Sequence, residues 1–154
     1  MVGYTNNKEF DPETTARIIG REVKVSPKKS VEVCREIKGM DIADAREFME
    51  QVALKKRPVE YKRYVRNVAH RKGDLRSGGF PVNVAKEMIK LLDGVEANAD
   101  YLGLNTENLK IVHIAAHRGR TFRGWFPRAR GRSTPSIKRT TNIEIIVAET
   151  EGEE

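Results

Sequence analysis

Two apolar, β-branched segments flank a strongly basic stretch near the end of the chain. Residues 109–117 (LKIVHIAAH) and 142–149 (NIEIIVAE) have the composition of buried strands. Between them, residues 118–140 (RGRTFRGWFPRARGRSTPSIKRT) contain eight Lys or Arg side chains and no acidic residue. A disordered basic tail would not return to an apolar strand. The arrangement therefore predicts a β-hairpin with an apolar base and a cationic far end.

The predicted hairpin is long for a chain of this size. Each arm has on the order of 18 residues, or roughly 60 Å at the rise of a strand, whereas a compact domain of this size has a radius of gyration of about 15 Å. Side chains alternate along a strand, so Arg118 and Arg120 are predicted to share one face, as are Arg128, Arg130 and Arg132. Such a ribbon buries little apolar surface by itself. We therefore expect it to project from the core and a partner to supply the missing contacts.

The composition of this segment is typical of an element that binds RNA. The chain of 154 residues has a formal net charge of +7 and a pI near 9.6, which favours a polyanionic partner. Arginine offers a planar fork for phosphates and a flat face for bases. Trp125 and Phe126 add stacking surface, and Gly119 and Gly124 permit close approach of a partner. We interpret the hairpin as a finger that enters folded RNA.

Three amphipathic helices and one further strand are predicted before the hairpin. The helices span about residues 26–39, 41–57 and 81–103, with Ser26 and Asp41 as N-caps. The second helix is expected to hold its basic residues 55–57 in the last turn, and a short strand is expected at 21–26. The apolar stripes that should form the core are Val31, Cys34 and Ile37, then Ile42, Ala45, Phe48, Met49 and Val52, then Val84, Met88, Leu91, Val95, Ala99 and Leu102.

Residues 60–80 interrupt the helical periodicity with interleaved cations and aromatics. We expect an irregular insertion, with Gly78 and Gly79 breaking the chain. Its cations are available for phosphates, although a solvated basic loop explains the composition equally well. They are Lys62, Arg63, Arg66, Arg71, Lys72 and Arg76.

The residues that could support catalysis or a metal site are few. Cys34 is the only cysteine and is expected to be a small buried hydrophobe. His113 and His117 are four residues apart, which on a strand is roughly 13 Å and too far for one ion. His70 has no carboxylate or thiol cluster nearby. These observations disfavour an enzyme and predict neither a metal nor a cofactor.

The sequence also lacks the hydrophobic segments of secreted or membrane proteins. Residues 1–15 contain no apolar run of the kind found in a signal peptide, and no stretch approaches the roughly 20 apolar residues of a membrane span. We expect a cytoplasmic protein without membrane insertion.

Two motifs closely resemble the universal large-subunit ribosomal protein family numbered twenty-two. They are REVKVSPKKSVEVCREIKGMDIADA (21–45) and RARGRSTPSIKRTTNIEIIV (128–147). The resemblance extends from about residue 11 to residue 148. The segments PVEYKRYVRNVAHRKG (58–73) and VEANADYLGLN (95–105) are similar to the archaeal and eukaryotic branch of the family, and an archaeal source is expected.

The resemblance implies an α+β fold, in which three helices pack on a small antiparallel sheet with a long protruding β-hairpin. The whole chain, 1–154, would be a single domain. Its globular core would span about 11–116 and 143–149, its hairpin 117–142, and its flexible acidic tail 150–154.

The resemblance further implies a structural constituent of the large ribosomal subunit. Such a protein binds large-subunit rRNA, bridges rRNA domains and lines the polypeptide exit tunnel with the end of its hairpin. Its partners would be rRNA, neighbouring large-subunit proteins and the nascent polypeptide at the tunnel wall. The alternative that remains open is a free RNA-binding regulator or RNA chaperone, and an enzyme acting on RNA is a weaker third possibility.

The candidate site residues fall into two groups. The expected RNA-binding residues are Lys28, Lys29, Lys62, Arg63, Arg66, His70, Arg71, Lys72, His117, Arg118, Arg120, Arg123, Trp125, Arg128, Arg130, Arg132, Lys138 and Arg139. The hairpin tip, expected to face the tunnel, consists of Trp125, Phe126, Pro127, Arg128, Ala129 and Arg130.

Overall fold

The structure is a computed structural model that describes residues 10–11, 14–73 and 75–149. The predicted acidic tail 150–154 lies outside these residues, as do residues 1–9 and 12–13 of the N-terminal stretch that is expected to contain no signal-peptide apolar run. The described residues form β1 (Thr15–Val23), α1 (Pro27–Ile37), α2 (Ile42–Ala53), β2 (Val59–Glu60), β3 (Gly78–Gly79), α3 (Val82–Leu102), β4 (Leu109–Pro127) and β5 (Ser133–Glu149).

A three-stranded antiparallel sheet lies at the centre of the fold, in the order β1–β5–β4. Ile145 of the central strand pairs with Ile18 on one side and with Ile114 on the other. Side chains alternate across a strand, so Ile143, Ile145 and Val147 point to the same face, and all three belong to the buried core under the helices. The predicted α+β fold of three helices on a small antiparallel sheet is confirmed.

The strand that precedes the first helix lies earlier in the chain than the sequence predicts. The expected strand at 21–26 overlaps β1 only over its last three residues, 21–23. The regular pairing of β1 with β5 runs from Thr15 to Gly20 and is irregular between Gly20 and Val23, where Glu22 has a φ of 52°. The local alternation of residues 21–26 could not reveal this, because cross-strand pairing decides where a strand begins.

The helix starts agree with the sequence prediction, but one helix end does not. Ser26 and Asp41 occupy the N-cap positions, although neither side chain makes a capping hydrogen bond. Helix α2 ends at Ala53, so residues 55–57 follow it and do not form its last turn. The backbone N–H groups of Lys56 and Arg57 both donate to the carbonyl of Gln51, which closes the helix end before Pro58.

The predicted apolar stripes are mostly buried, with three exceptions. Val31 is only partly buried, and the two residues that follow it, Glu32 and Val33, are buried instead. Leu91 is partly buried while Leu92 is fully buried, and Leu102 is 49% exposed. Helices α1 and α3 each contact several elements, so a single stripe does not describe what they bury.

A glycine inside α3 allows that helix to pack closely on β1. A Cβ built on Gly94 would lie 2.6 Å from Cδ1 of Ile18, and one built on Gly20 would lie 2.9 Å from Cδ2 of Leu91. The close approach of the two elements therefore explains why a glycine stands at position 94 despite its low helix propensity.

Candidate nucleic-acid interface

The predicted hairpin is present and continuous. Strands β4 and β5 pair from Leu109 opposite Glu149 to Pro127 opposite Ser133. The first part of the pair belongs to the core sheet, in which Thr141 of β5 still pairs with Val23 of β1, and side chains from the Thr121–Arg139 pair outward are largely exposed. From that pair to the end, each arm has 7 residues, or about 23 Å at the rise of a strand. The basic part of the hairpin therefore projects from the core.

The chain reverses at a short 3₁₀ turn, Ala129–Gly131. The backbone N–H of Arg128 donates to the carbonyl of Arg132 across this turn at 2.8 Å, and Arg130 has a φ of 58°. Because these residues form a turn and not a strand, the prediction that Arg128, Arg130 and Arg132 share one strand face is wrong. The expected tip, 125–130, thus combines three paired strand residues with the first half of the turn.

A second irregularity separates the two arginines at the base of the hairpin. The register of β4 against β5 shifts between Arg118 and Thr121. At this point the hydroxyl of Thr140 donates to the carbonyl of Arg120 at 2.8 Å. The regular alternation on which the predicted shared face of Arg118 and Arg120 depends is interrupted here.

All eight cations of the hairpin segment are exposed. The segment contains no acidic side chain that could neutralise them. The charges therefore act together at the surface and attract a polyanion. They are Arg118, Arg120, Arg123, Arg128, Arg130, Arg132, Lys138 and Arg139.

The basic insertion is organised by a buried carboxylate that the sequence analysis missed. Glu32 of α1 is 1% exposed and accepts hydrogen bonds from the backbone N–H groups of Lys62 at 3.1 Å, Arg63 at 2.9 Å and Tyr64 at 2.6 Å. Arg35 lies 4.0 Å from the same carboxylate. The start of the insertion is thus held in one backbone conformation. Nothing in the local sequence distinguishes Glu32 from a solvated helical glutamate.

This arrangement brings together cations that are far apart in the sequence. The ammonium of Lys28, on α1, and the guanidinium of Arg63, in the insertion, each lie 5.6 Å from the ring centroid of Tyr64. Both distances are within the range of cation–π contact. Lys29, Lys62 and the two cations at Tyr64 are exposed. We call these four residues, with Arg66, the core basic patch.

A small two-stranded sheet joins the start of the insertion to its end. Gly78 and Gly79, expected to break the chain, pair with Glu60 and Val59 as strand β3. Arg71 donates from Nε to the carbonyl of Gly78 at 2.9 Å, and His70 contacts the carbonyl of Arg76 through Nδ1 at 2.8 Å. Two predicted RNA-binding residues of the insertion therefore also support its own backbone. Both remain exposed, as does Lys72.

The two histidines of β4 share one carboxylate. Glu144 is 3% exposed, and its Oε1 lies 2.9 Å from Nε2 of His113 and 3.3 Å from Nε2 of His117. Glu144 pairs with Ala115, midway between them, so its side chain reaches both. The spacing along the strand, which is expected to be too large for one metal ion, does not prevent the two histidines from contacting the same carboxylate. In the described ranges, no group of His, Cys, Asp and Glu has the arrangement of a metal site.

The environment of Cys34 suits a structural thiol and not a nucleophile. Cys34 is buried, as predicted, and burial raises the pKa of its thiol to about 12, the opposite of what a nucleophile needs. Over the ranges that the structure covers, no helix combines the length and apolarity required to cross a bilayer.

Comparison of the whole sequence with known proteins agrees with the family resemblance of the two motifs. The family described as ribosomal protein L22p/L17e matches residues 18–148. The large ribosomal subunit protein uL22 of Methanococcoides burtonii is 47% identical over 148 residues, which cover 96% of this chain and 97% of that protein. The proteins of the same name from Ignicoccus hospitalis and Methanocaldococcus jannaschii are 44% and 43% identical, each over 152 residues. The former alignment covers 96% of both chains and the latter 97% of both.

Proposed function

The chain belongs to the ribosomal protein L22p/L17e family, and we therefore propose that it binds large-subunit rRNA, bridges rRNA segments and reaches the polypeptide exit tunnel with its hairpin. As a member of this family it is a structural protein of the large ribosomal subunit and not an enzyme. Its cellular place is that of the ribosome, the cytoplasm.

The projecting hairpin is the observation that carries this proposal. Its eight exposed cations occur without an acidic residue between them. Binding to RNA phosphates releases condensed counterions, so a dense row of arginines supplies affinity that depends strongly on salt. The hairpin extends about 23 Å beyond the core sheet, which is enough to enter grooves between RNA helices.

The core basic patch supports a bridging role. It lies at the start of α1 and in the insertion, whereas the hairpin cations lie on β4, β5 and their turn. Two cationic surfaces on separate elements can bind two RNA segments at once. We propose that Lys28, Lys29, Lys62, Arg63 and Arg66 bind one segment, with His70, Arg71 and Lys72 beside them. We propose that His117 and the hairpin cations bind another.

The tip, 125–130, is proposed to face the exit tunnel and the nascent polypeptide. Trp125 is 69% exposed and Phe126 is 57% exposed, which is unusual for large aromatic side chains in a free protein. Their position beside the turn places them at the far end of the projecting arm. Neighbouring large-subunit proteins are the other expected partners.

Retention on the ribosome tests the proposal against a free RNA-binding regulator. Tagged wild-type protein should sediment with the large subunit and remain there after a high-salt wash. A triple variant of Arg120, Arg123 and Arg139 to Gln should be released by the wash. The matched control, Lys55, Lys56 and Lys86 to Gln, loses the same three charges from exposed positions outside the hairpin and should be retained. Wild-type protein found mainly free of subunits would favour the regulator.

A further inference from the structure

One face of the outer hairpin forms a notch between two aromatic rings. Phe122, Gly124 and Phe126 alternate along β4, so they point to the same side of the ribbon. Their partners on β5 are Lys138, Ser136 and Thr134. The two phenylalanines are 45% and 57% exposed. Their Cα atoms are about 13 Å apart at the rise of a strand, and the glycine lies midway.

The glycine gives the notch an open floor. A Cβ built on Gly124 would meet only the carbonyl oxygen of Ser136, at 4.0 Å. The notch has a volume of about 330 Å³ and is lined by Phe122, Gly124, Phe126, Ser136 and Lys138, with Arg123 and Trp125 also at its border. A flat group can therefore enter between the rings and reach the backbone.

The surroundings identify the chemistry of the occupant. Lys138 pairs directly with Phe122, and the guanidinium of Arg120 lies 5.4 Å from the centroid of the same ring. The notch is therefore apolar and aromatic inside and cationic at its rim. An unpaired nucleobase matches both parts, because its π-face stacks on aromatic rings while its phosphates bind the cations. An apolar peptide side chain would leave the rim cations without partners.

We propose that this notch binds an unpaired RNA base, stacked between Phe122 and Phe126, with its phosphate near Arg120 and Lys138. The proposal rests on the proposed rRNA-binding function and assigns to the hairpin a base-binding site in addition to phosphate contacts. Ser136 offers a hydroxyl at the floor that can donate to or accept from the base edge.

Binding of oligoadenylate by the purified full-length protein tests the site, with the same oligonucleotide carrying abasic sugars as the reference. The Phe122→Ala/Phe126→Ala variant should bind oligoadenylate on the order of 10-fold to 100-fold more weakly, the range expected for lost base stacking. Gly124→Val should also weaken oligoadenylate binding, because the new side chain fills the floor of the notch. Since the added Cβ meets no close atom, this variant should keep its fold. Ile137→Ala, which removes an exposed side chain from the opposite face, is the control and should bind normally.

The abasic reference separates this site from general phosphate binding. All four proteins should bind the abasic strand equally. Equal loss of both strands in the ring variant, or normal oligoadenylate binding by Gly124→Val, would overturn the base site. The base site would also be overturned if the ring variant bound oligoadenylate normally but changed the crosslinks to the nascent chain. The notch would then bind peptide. The proposed function would fail by a different result, namely unchanged binding of both strands after the Arg120, Arg123 and Arg139 substitutions.

Discussion

The carboxylate of Glu32 accepts a hydrogen bond from the backbone N–H of Arg63 at 2.9 Å, joining α1 to a residue thirty-one positions later. The same carboxylate accepts from the backbone N–H groups on either side, those of Lys62 and Tyr64. One buried acid therefore positions the loop that contributes Lys62 and Arg63 to the core basic patch.

Replacing Glu32 by alanine should leave three backbone N–H groups without their acceptor. A buried donor that loses a charged partner costs about 1–3 kcal/mol, so we expect the free energy of unfolding to fall by about 3 kcal/mol or more. Amide exchange should accelerate at residues 62–64. Glu36→Ala, at a partly buried position on the same helix, is the control. Unchanged exchange at 62–64 would contradict the anchoring role of Glu32.

The buried thiol of Cys34 should make stability depend on pH in alkaline solution. Burial raises its pKa from 9.0 to about 12, so the folded state retains a proton that the unfolded state loses above pH 9. Its contribution is fully present below pH 9 and is lost as the pH rises toward 12. Relative to Cys34→Ala, wild type should lose on the order of 1 kcal/mol per pH unit in this window. Parallel stability curves for the two proteins would contradict the prediction.

The contact between α3 and β1 can be tested by a pair of compensating substitutions. Gly94→Ala should destabilise the protein by about 1 kcal/mol, because overpacking against Ile18 costs about 1–3 kcal/mol and outweighs the gain in helix propensity. Ile18→Val removes the Cδ1 atom that the new methyl group meets. The double variant should therefore be more stable than the sum of the two single effects predicts. Strict additivity in chemical denaturation would show that the close approach is not the cause.

Substitutions at the tip should separate assembly from tunnel function. Trp125→Ala combined with Arg130→Gly removes one ring and one charge, and glycine suits the φ of 58° at residue 130. We expect large subunits of normal composition with an altered footprint of a tunnel-bound drug or stalling peptide. Ile137→Ala should leave the footprint unchanged. An unaltered footprint in the tip variant, with full incorporation, would mean that the tip does not reach the tunnel.

The hairpin could be predicted because its signal is carried by the order of segments along the chain. Two apolar strands enclose a basic stretch, and the second strand can pair with the first only if the chain reverses direction between them. The motif around 128–147 then identified the family. The position of the turn was harder to predict from the sequence, because Arg130 adopts a positive φ that is uncommon for a residue other than glycine.

Contacts between distant segments explain most of what the sequence did not reveal. Glu32 accepts hydrogen bonds from backbone N–H groups, and the composition of the sequence cannot indicate such contacts. Glu144 joins His113 and His117 from the neighbouring strand, so spacing along one strand could not show that they share a partner. The end of α2 depends on hydrogen bonds to Gln51 that the basic run at 55–57 does not encode.

The salt dependence of binding to large-subunit rRNA tests the central claim most directly. For the Arg120, Arg123 and Arg139 to Gln variant, the slope of log binding constant against log salt concentration should become shallower by about one unit per lost phosphate contact, or up to about three units. The Lys55, Lys56 and Lys86 to Gln control should keep the wild-type slope. Equal slopes for all three proteins would contradict the account, because the hairpin arginines would then not bind rRNA phosphates.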